Sequence, residues 1–370
     1  MFDKFFSLFS HDIGIDLGTA NTLIWVRNKG IVIREPSVVA MHKKTKKVIA
    51  IGTEAKKMLG KTPASITTVR PLRGGVIADF DATAAMISHY IREVHEVGNI
   101  LPVGWSRPKV VIGIPSSVTE VERRAVWEAA LNSGAREAHL IEEPMAAAIG
   151  EEISVFAPTG VMVVDIGGGT TEIAVISLGG IVVGKSLKLA GDDLDKAIVH
   201  YIRLRYGLII GEPTAEDLKM KVGSAYDVKS KSQKSKLNNE KNTLHKKKEL
   251  EDKVAIIRGR DIETGLPRSL KVSEAELREA LSPVLGQIIE AIVDTLQDAP
   301  PELTSDILER GILLTGGGSL LRGLDELIVD RTHIPVNQSS DPLTSVIRGT
   351  GKVLQDLTLL ERVKVTGGLR

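Results

Sequence analysis

Two stretches of the chain set an aspartate two residues ahead of a glycine turn. One reads Asp12-Ile-Gly-Ile-Asp16-Leu-Gly18-Thr-Ala-Asn-Thr22-Leu-Ile24-Trp-Val26. The other, 149 residues further on, reads Val163-Val-Asp165-Ile-Gly167-Gly-Gly-Thr-Thr171-Glu-Ile173-Ala-Val175. In register, Asp, Gly, Thr, Ile and Val recur at matching places. Each copy reads as an apolar strand, an acid at its end, a tight turn and a second alternating strand. Glycine lets the backbone approach a ligand closely, and consecutive N–H groups in such a turn make a nest for an anion. A carboxylate at each strand end can hold a hydrated divalent cation. One such hairpin is most often only a turn. Two with the same acid placement, facing one another, would clamp a polyphosphate and its Mg2+. Neither is a P-loop, because GxxxxGK[ST] is absent, and neither is a dinucleotide fingerprint, because a strand rather than a helix follows.

A third glycine cluster, Gly311-Ile-Leu-Leu-Thr-Gly316-Gly317-Gly318-Ser319-Leu320, reads as strand, turn, then a helix beginning near Ser319 with the serine as N-cap. Bare glycines at a helix start allow a flat ring or a phosphate to rest on the backbone. Glu212-Pro-Thr-Ala-Glu216-Asp-Leu-Lys219 is another helix start, with polar groups that could meet a ribose or an adenine. By itself, a solvated helix face is the simpler account of that segment.

These residues need rigid elements to hold them. Thr119 and Glu122 make a capping box ahead of a helix that Gly134 ends. A second helix is expected from about Asp192 to Tyr206, stopped at Gly207, and Ser273 with Glu276 opens a third. Val110 to Ile114 reads as a buried strand stopped by Pro115. The 370 residues are too many for one ordinary core, so about two domains are expected. Absence of cysteine excludes disulfides, thiolate metal sites and cysteine nucleophiles, and suits a reducing cytoplasm. No HExxH pairing suggests zinc, and a net charge of +1 implies no global electrostatic partner. No apolar run approaches the roughly 18 residues needed to span a bilayer.

Four of the six phenylalanines lie in the first nine residues. Phe2, Phe5, Phe6 and Phe9 have i, i+3, i+4, i+7 spacing, which puts them on one face of a helix. Such a face can lie in the plane of a membrane surface or fold back onto the protein's own core. One short helix binds lipid weakly, so an anchor of this kind would need many copies acting together.

In this order the glycine clusters resemble the phosphate-1, phosphate-2 and adenosine motifs of the actin, Hsp70 and sugar-kinase superfamily. Leu140-Ile-Glu142-Glu143-Pro144-Met-Ala-Ala-Ala-Ile-Gly150 looks like the first connecting helix of that superfamily, and the segment starting Asp341-Pro342 looks like the second. At closer range IDLGTANT, EPSVVA, VERRAVWEAA, LIEEPMAAAIG, VVDIGGGTTEIAVIS and LTGGGSLLRGLDEL resemble the MreB family of bacterial actins, over essentially the whole chain but one insert.

The resemblance implies an α/β fold of two RNase H-like, actin-like ATPase domains flanking a nucleotide cleft, each with a smaller subdomain. Subdomain IA would take residues 11–32, 67–150 and 342–370, IB 33–66, IIA 151–186 and 272–341, and IIB 187–271, behind an amphipathic helix at 1–10. The implied cofactors are ATP or ADP and Mg2+. Thr19, Ala20 and Asn21 would meet phosphates from one side, and Gly167, Gly168, Gly169 and Thr170 from the other. Asp16 and Asp165 would hold Mg2+ through water. Glu216 and Lys219, with Gly316, Gly317, Gly318, Ser319 and Leu320, would surround the adenosine. Glu143 matches the residue that positions the attacking water, with Glu142 as fallback.

The implied function is a slow Mg-dependent ATPase whose hydrolysis times the dynamics of head-to-tail homopolymers, paired as filaments and attached to the inner face of the cytoplasmic membrane. These would determine cell shape by organising wall synthesis, with membrane proteins of the MreC, MreD and RodZ kind as partners and no nucleic acid. An Hsp70-like or sugar-kinase-like ATPase of the same fold is the alternative. It is disfavoured because the chain stops soon after the second connecting motif and shows no sugar pocket with its own base.

One stretch departs from the family pattern. Residues 228–253 hold nine lysines against four acids, a net charge of +5, and few apolar residues. The segment reads as a solvated surface insert, with a lysine patch for anionic lipid or a neighbouring filament as the sharper alternative.

Overall fold

The computed structural model describes residues 11–96, 107–227 and 253–365. The expectations for the phenylalanine helix at 1–10, and for all of the lysine-rich insert but Lys253, therefore lie outside the described residues.

Apolar residues around Asp16 form β1 (Ile13–Leu17), which turns through Gly18 into β2 (Asn21–Val26) and then β3 (Gly30–Pro36). A small sheet follows, with β4 (Val39–His42) between β5 (Val48–Ile51) and β6 (Ile66–Val69), and helix α1 (Thr53–Lys57) after β5. The hairpin β7 (Leu72–Arg73) and β8 (Val76–Ile77) leads to α2 (Phe80–Glu96). Then come β9 (Lys109–Ile114), α3 (Glu120–Asn132) and β10 (Glu137–Glu142). Helix α4 (Glu143–Gly150) crosses to the second half.

That half begins with β11 (Val161–Ile166), β12 (Thr171–Ser177) and β13 (Gly180–Leu187). Helix α5 (Gly191–Tyr206), β14 (Leu208–Ile209), α6 (Glu212–Val222), β15 (Val254–Asp261) and β16 (Pro267–Ser273) follow. Helices α7 (Glu274–Asp298) and α8 (Pro301–Arg310) precede β17 (Ile312–Thr315), a 3-10 turn at Gly317–Leu320, α9 (Leu324–Thr332) and β18 (Val336–Gln338). Helix α10 (Ser345–Gln355) packs back against β1 and β9, and α11 (Leu357–Val363) follows it.

The two large sheets have the orders β10-β9-β1-β2-β3 and β18-β17-β11-β12-β13. Strand for strand these are the same arrangement, with an antiparallel three-strand meander extended by two parallel strands. The sequence repeat is thus a structural repeat: Asp16 and Asp165 end equivalent central strands. Each half has its own apolar core, and a third core between the sheets takes Trp25, Val111, Ala146, Val163, Ala174 and Ile347.

Local chemistry sets the element ends. Thr119 and Ser273 each accept an N3 backbone N–H while Glu122 and Glu276 reach back, so both expected capping boxes form. Helix α5 ends at Gly207, whose φ of 60° suits glycine. The helix expected from Ser319 does not start there. The Ser319 hydroxyl donates to the Gly316 carbonyl at 2.7 Å inside the 3-10 turn, and the α-helix begins only after Gly323, with φ 76°. A serine bonded backward closes its own turn and is not available to cap a following helix.

Helices α4 and α10 lie against each other at two glycines. A Cβ on Gly349 would collide with the Ala146 carbonyl, and one on Gly150 with that of Ser345. Glu151, just past α4, accepts the Ser339 and Ser345 hydroxyls at 2.7 Å each and pairs with Arg348. The joint between the halves is therefore a backbone-to-backbone crossing, fastened by the Glu151 carboxylate and by Lys352, whose amine donates to the Ile149 and Gly150 carbonyls.

Candidate functional site

The two glycine turns meet face to face. A Cβ on Gly168 would stand 2.6 Å from the Ala20 Cβ, and one on Gly169 would stand 2.5 Å from the Thr19 hydroxyl oxygen. In the 149-residue register Thr19 matches Gly168 and Ala20 matches Gly169, so the two contacts are exchanged by the pseudo-twofold that relates the halves. The turns are shaped from behind. Ser37 Oγ donates to the Gly18 carbonyl at 2.6 Å, and the Gly167 N–H donates to the Thr170 carbonyl at 2.8 Å. Among the described residues, no acceptor takes the backbone N–H of Thr19, Ala20, Gly168 or Gly169. Four unbonded amides on two facing turns suit an anion with several oxygens. Thr170 is buried beside them, and Asn21 is exposed at the start of β2.

Beneath the turns lie five carboxyl groups. Asp16 and Asp165 end β1 and β11, Glu142 ends β10, Glu143 opens α4 and Glu172 lies in β12 opposite Asp165. Burial holds the Asp16 carboxyl up to about 7. Burial, then the charges of Asp16 and Glu172, hold Asp165 up to about 8. Glu143 is raised well above the usual carboxylate range by burial first, then by Glu172, Asp16 and Asp165. Glu142 is raised by burial and by Glu172, with Arg123 opposing. Glu172 is raised by burial although it accepts the Ser186 hydroxyl and the Ser116 N–H.

Among the described residues none of these five forms an ion pair with lysine or arginine. No three of them converge as the direct ligands of an ion. Such a set fits a hard cation whose remaining ligands are water and phosphate oxygen. Among the acids, Glu143 is the one placed to sense both aspartates, as the first residue of a buried helix.

The adenosine candidates divide. Glu216 lines a cavity of about 220 Å³ with Arg70, Arg73, Gly169, Lys188 and Asp192, and it pairs at 3.0 Å with Lys56 from α1 across the opening. Lys219 faces inward, donating to the Gly191 carbonyl at 2.8 Å and pairing with Asp195 at 2.9 Å. It thereby holds the start of α5 against the second glycine turn. Gly316 and Gly318 press on Asp165 and Ile166, where a side chain would collide; Gly317 adjoins Leu343. Ser319 is buried, and Leu320 is 54% exposed.

Two residues of the site escape the sequence reading. Glu172 joins β12 to the Pro115–Ser116 loop of the other half through the Ser116 N–H at 3.0 Å. Its signal is present in the repeat, where it stands at the position of Leu23, a carboxylate in place of an apolar side chain. Arg70 pairs with Asp192, 122 residues away, and no local pattern announces it.

A family model described as MreB/Mbl protein matches residues 10–362. The chain is 48% identical over 359 residues to the cell shape-determining protein MreB of Escherichia coli (strain K12), with 96% of each chain covered. It is 45% identical to the cell shape-determining protein Mbl of Bacillus subtilis (strain 168), covering 97% of this chain and 100% of that one. The crystal structure of MreB5 of Spiroplasma citri bound to ADP superposes with a TM-score of 0.83 at 37% identity, over 96% of this chain and 98% of that one.

Proposed function

The chain belongs to the MreB/Mbl family, and on that footing we propose that it is a cytoskeletal ATPase whose actin-like filaments determine cell shape by organising wall synthesis. The observation that carries the proposal is the facing pair of turns at Thr19–Ala20 and Gly168–Gly169 above the buried acids. The ADP bound to the Spiroplasma citri relative supports a nucleotide in the same cleft.

ATP lies between the halves with its phosphates on Thr19, Ala20 and Asn21 from one side and Gly167 to Thr170 from the other. Asp16 and Asp165 would hold Mg2+ through water, and the ion would supply neutralisation of phosphate charge. Glu216 and the Gly316–Leu320 turn flank the adenosine, while Lys219 acts behind them on Gly191. Glu143 accepts a proton from the water that attacks the γ-phosphorus, as the bond to the ADP oxygen breaks. Only the ionised carboxylate can take that proton; burial and the neighbouring acids oppose ionisation of Glu143, and a cation bound beside it would favour it. Hydrolysis of this kind is slow and serves as a timer for the filament.

Head-to-tail contacts do not close, so they build a homopolymer. Among the described residues no helix is long and apolar enough to cross a membrane. Attachment to the inner face of the cytoplasmic membrane is assigned to the face that the spacing of Phe2, Phe5, Phe6 and Phe9 would form, with proteins of the MreC, MreD and RodZ kind as neighbours there. On this reading the sheet around β1, with α10 and α11, makes subdomain IA and the sheet around β11 makes IIA; the small sheets around β4 and β15 make IB and IIB.

Sedimentation with ATP and Mg2+, with and without anionic liposomes, tests the whole reading. Polymer is expected in the pellet with nucleotide. No pelleting under any of these conditions would rule the filament out. Deleting residues 2–9 is expected to abolish liposome binding while ATP still binds; loss of both would make the segment part of the core.

A further inference from the structure

Arg70 follows β6 in the first half, yet its guanidinium lies 3.0 Å from the carboxylate of Asp192 and 3.8 Å from that of Glu212, both in the second half. The side chains of Arg70 and Asp192 are only 25% and 23% exposed, so salt screens their attraction less than it would a surface pair. Asp192 has another tie. Its backbone N–H donates to the Gly168 carbonyl at 2.7 Å, and the N–H of Gly191 beside it donates to the Gly167 carbonyl at 3.2 Å. One residue thus grips Arg70 with its side chain and the glycine turn with its main chain. Lys219 steadies the same corner through the Gly191 carbonyl.

We propose that Arg70 is a positioning residue for the second phosphate turn: by clamping Asp192 it sets Gly168 and Gly169 against Ala20 and Thr19 and shuts the cleft in the same movement. The proposal rests on the reading of this cleft as an ATP site. Cleft closure and turn geometry become one event, because a shift of Asp192 away from Arg70 drags the Gly168 carbonyl with it. Nucleotide release then requires the pair to break. Lys56 and Glu216 bridge the same opening at 3.0 Å, but neither has a backbone bond to a phosphate turn. Their loss would loosen the opening without moving the turn.

The test is stopped-flow release of a fluorescent ATP analogue with Mg2+ from the full chain, alongside single-turnover hydrolysis. Arg70→Ala and Asp192→Asn are each expected to release the analogue about tenfold faster, with a smaller change in the association rate. Single-turnover hydrolysis should slow in both, because the turn is held in place for less of the time. The swap of Arg70→Asp with Asp192→Arg is expected to recover most of both losses. Recovery separates positioning from direct phosphate contact, since the swapped chain has no arginine at position 70. Should Arg70→Ala fail to fold, Arg70→Lys keeps the charge, loses the planar fork and is expected to release about threefold faster. If the unaltered protein binds no analogue, the ATP reading falls and the proposal with it. If it binds and the single variants release at the unaltered rate, only the role of Arg70 is overturned. That role is overturned likewise if the swap releases as fast as the single variants.

Discussion

Gly169 and Thr19 meet across the cleft so closely that a Cβ on the glycine would stand 2.5 Å from the threonine hydroxyl oxygen. That hydroxyl also accepts the N–H of Gly75 at 3.2 Å, which restrains it from swinging aside. A Cβ on Gly168 would stand 2.6 Å from the Ala20 Cβ and 3.1 Å from the Ala20 backbone nitrogen, so its obstacle includes main chain. Overpacking of this kind costs about 1–3 kcal/mol. Gly169→Ala is expected to weaken ATP binding roughly tenfold, by the usual conversion of such an energy, and Gly168→Ala more. Equilibrium titration with a fluorescent analogue measures both. A milder effect at Gly168 would mean that the turns are not closed on each other in the binding state.

With Mg2+ placed as proposed, the acids beneath the turns would make affinity depend on pH. Burial holds Asp16 up to about 7 and Asp165 up to about 8, from 3.8 in an unperturbed chain. The folded protein therefore keeps protons that the unfolded chain has lost. The stability these two groups contribute is full below pH 3.8 and is lost as pH rises through about 7 and then 8. A bound cation favours the ionised carboxylates and so expels those protons. Mg-nucleotide is expected to bind more tightly at pH 8 than at pH 6, by about tenfold for each proton released per pH unit. Calorimetric titration in two buffers of different ionisation enthalpy counts the protons. Asp165→Asn should reduce the release and leave the share of Asp16; affinity flat with pH would refute the placement of the cation.

Glu143 and Glu142 are adjacent acids with different surroundings. Asp16, Asp165 and Glu172 all act on Glu143, whereas Glu142 is influenced by Glu172 and Arg123. On the proposed placement of phosphate and cation, Glu143 is therefore the acid nearer to where they would meet. Glu143→Gln is expected to slow ATP hydrolysis by about 10²–10⁴-fold, the usual worth of a positioned base, and to leave nucleotide bound. Glu142→Gln should turn over nearly as the unaltered chain does. Single-turnover hydrolysis of both variants decides, and the reverse result would give the role to Glu142.

What the sequence declares is what local spacing can encode. The Asp-Gly hairpins, the boxes at Thr119 and Ser273, and the strand ending before Pro115 are patterns spanning a few residues, and each sets its own backbone geometry. Contacts between distant segments leave no such trace. Arg70 is an ordinary arginine until folding brings Asp192 to it. Lys219 sits on the expected helix, but its amine turns inward to Gly191 because Asp195 and that carbonyl both accept it. Ser319 misleads for a local reason: a glycine turn can satisfy a serine hydroxyl before any helix begins. Glu172 is the intermediate case, since only comparison of the two copies marks a carboxylate where the other has Leu23.

Gly349 gives a test of the joint between the halves. Alanine there would usually help a helix by about 0.5–1 kcal/mol, because glycine loses more backbone freedom on folding. The crossing with α4 reverses that expectation: the new methyl would meet the Ala146 carbonyl and come within 2.9 Å of the Ala146 Cα, all of it backbone. Neither helix can yield alone, since Glu151 ties Ser339, Ser345 and Arg348 together at the same point. Gly349→Ala is expected to destabilise the chain by about 3 kcal/mol, at the upper end for overpacking, and to lower its melting temperature by several degrees. Gly286, inside α7, has nothing within 4 Å of where a Cβ would stand. Gly286→Ala is therefore expected to melt at or slightly above the unaltered chain. Thermal unfolding of the two variants side by side separates contact from propensity. If both shift upward together, α4 and α10 do not touch at Gly349, and the halves are joined some other way.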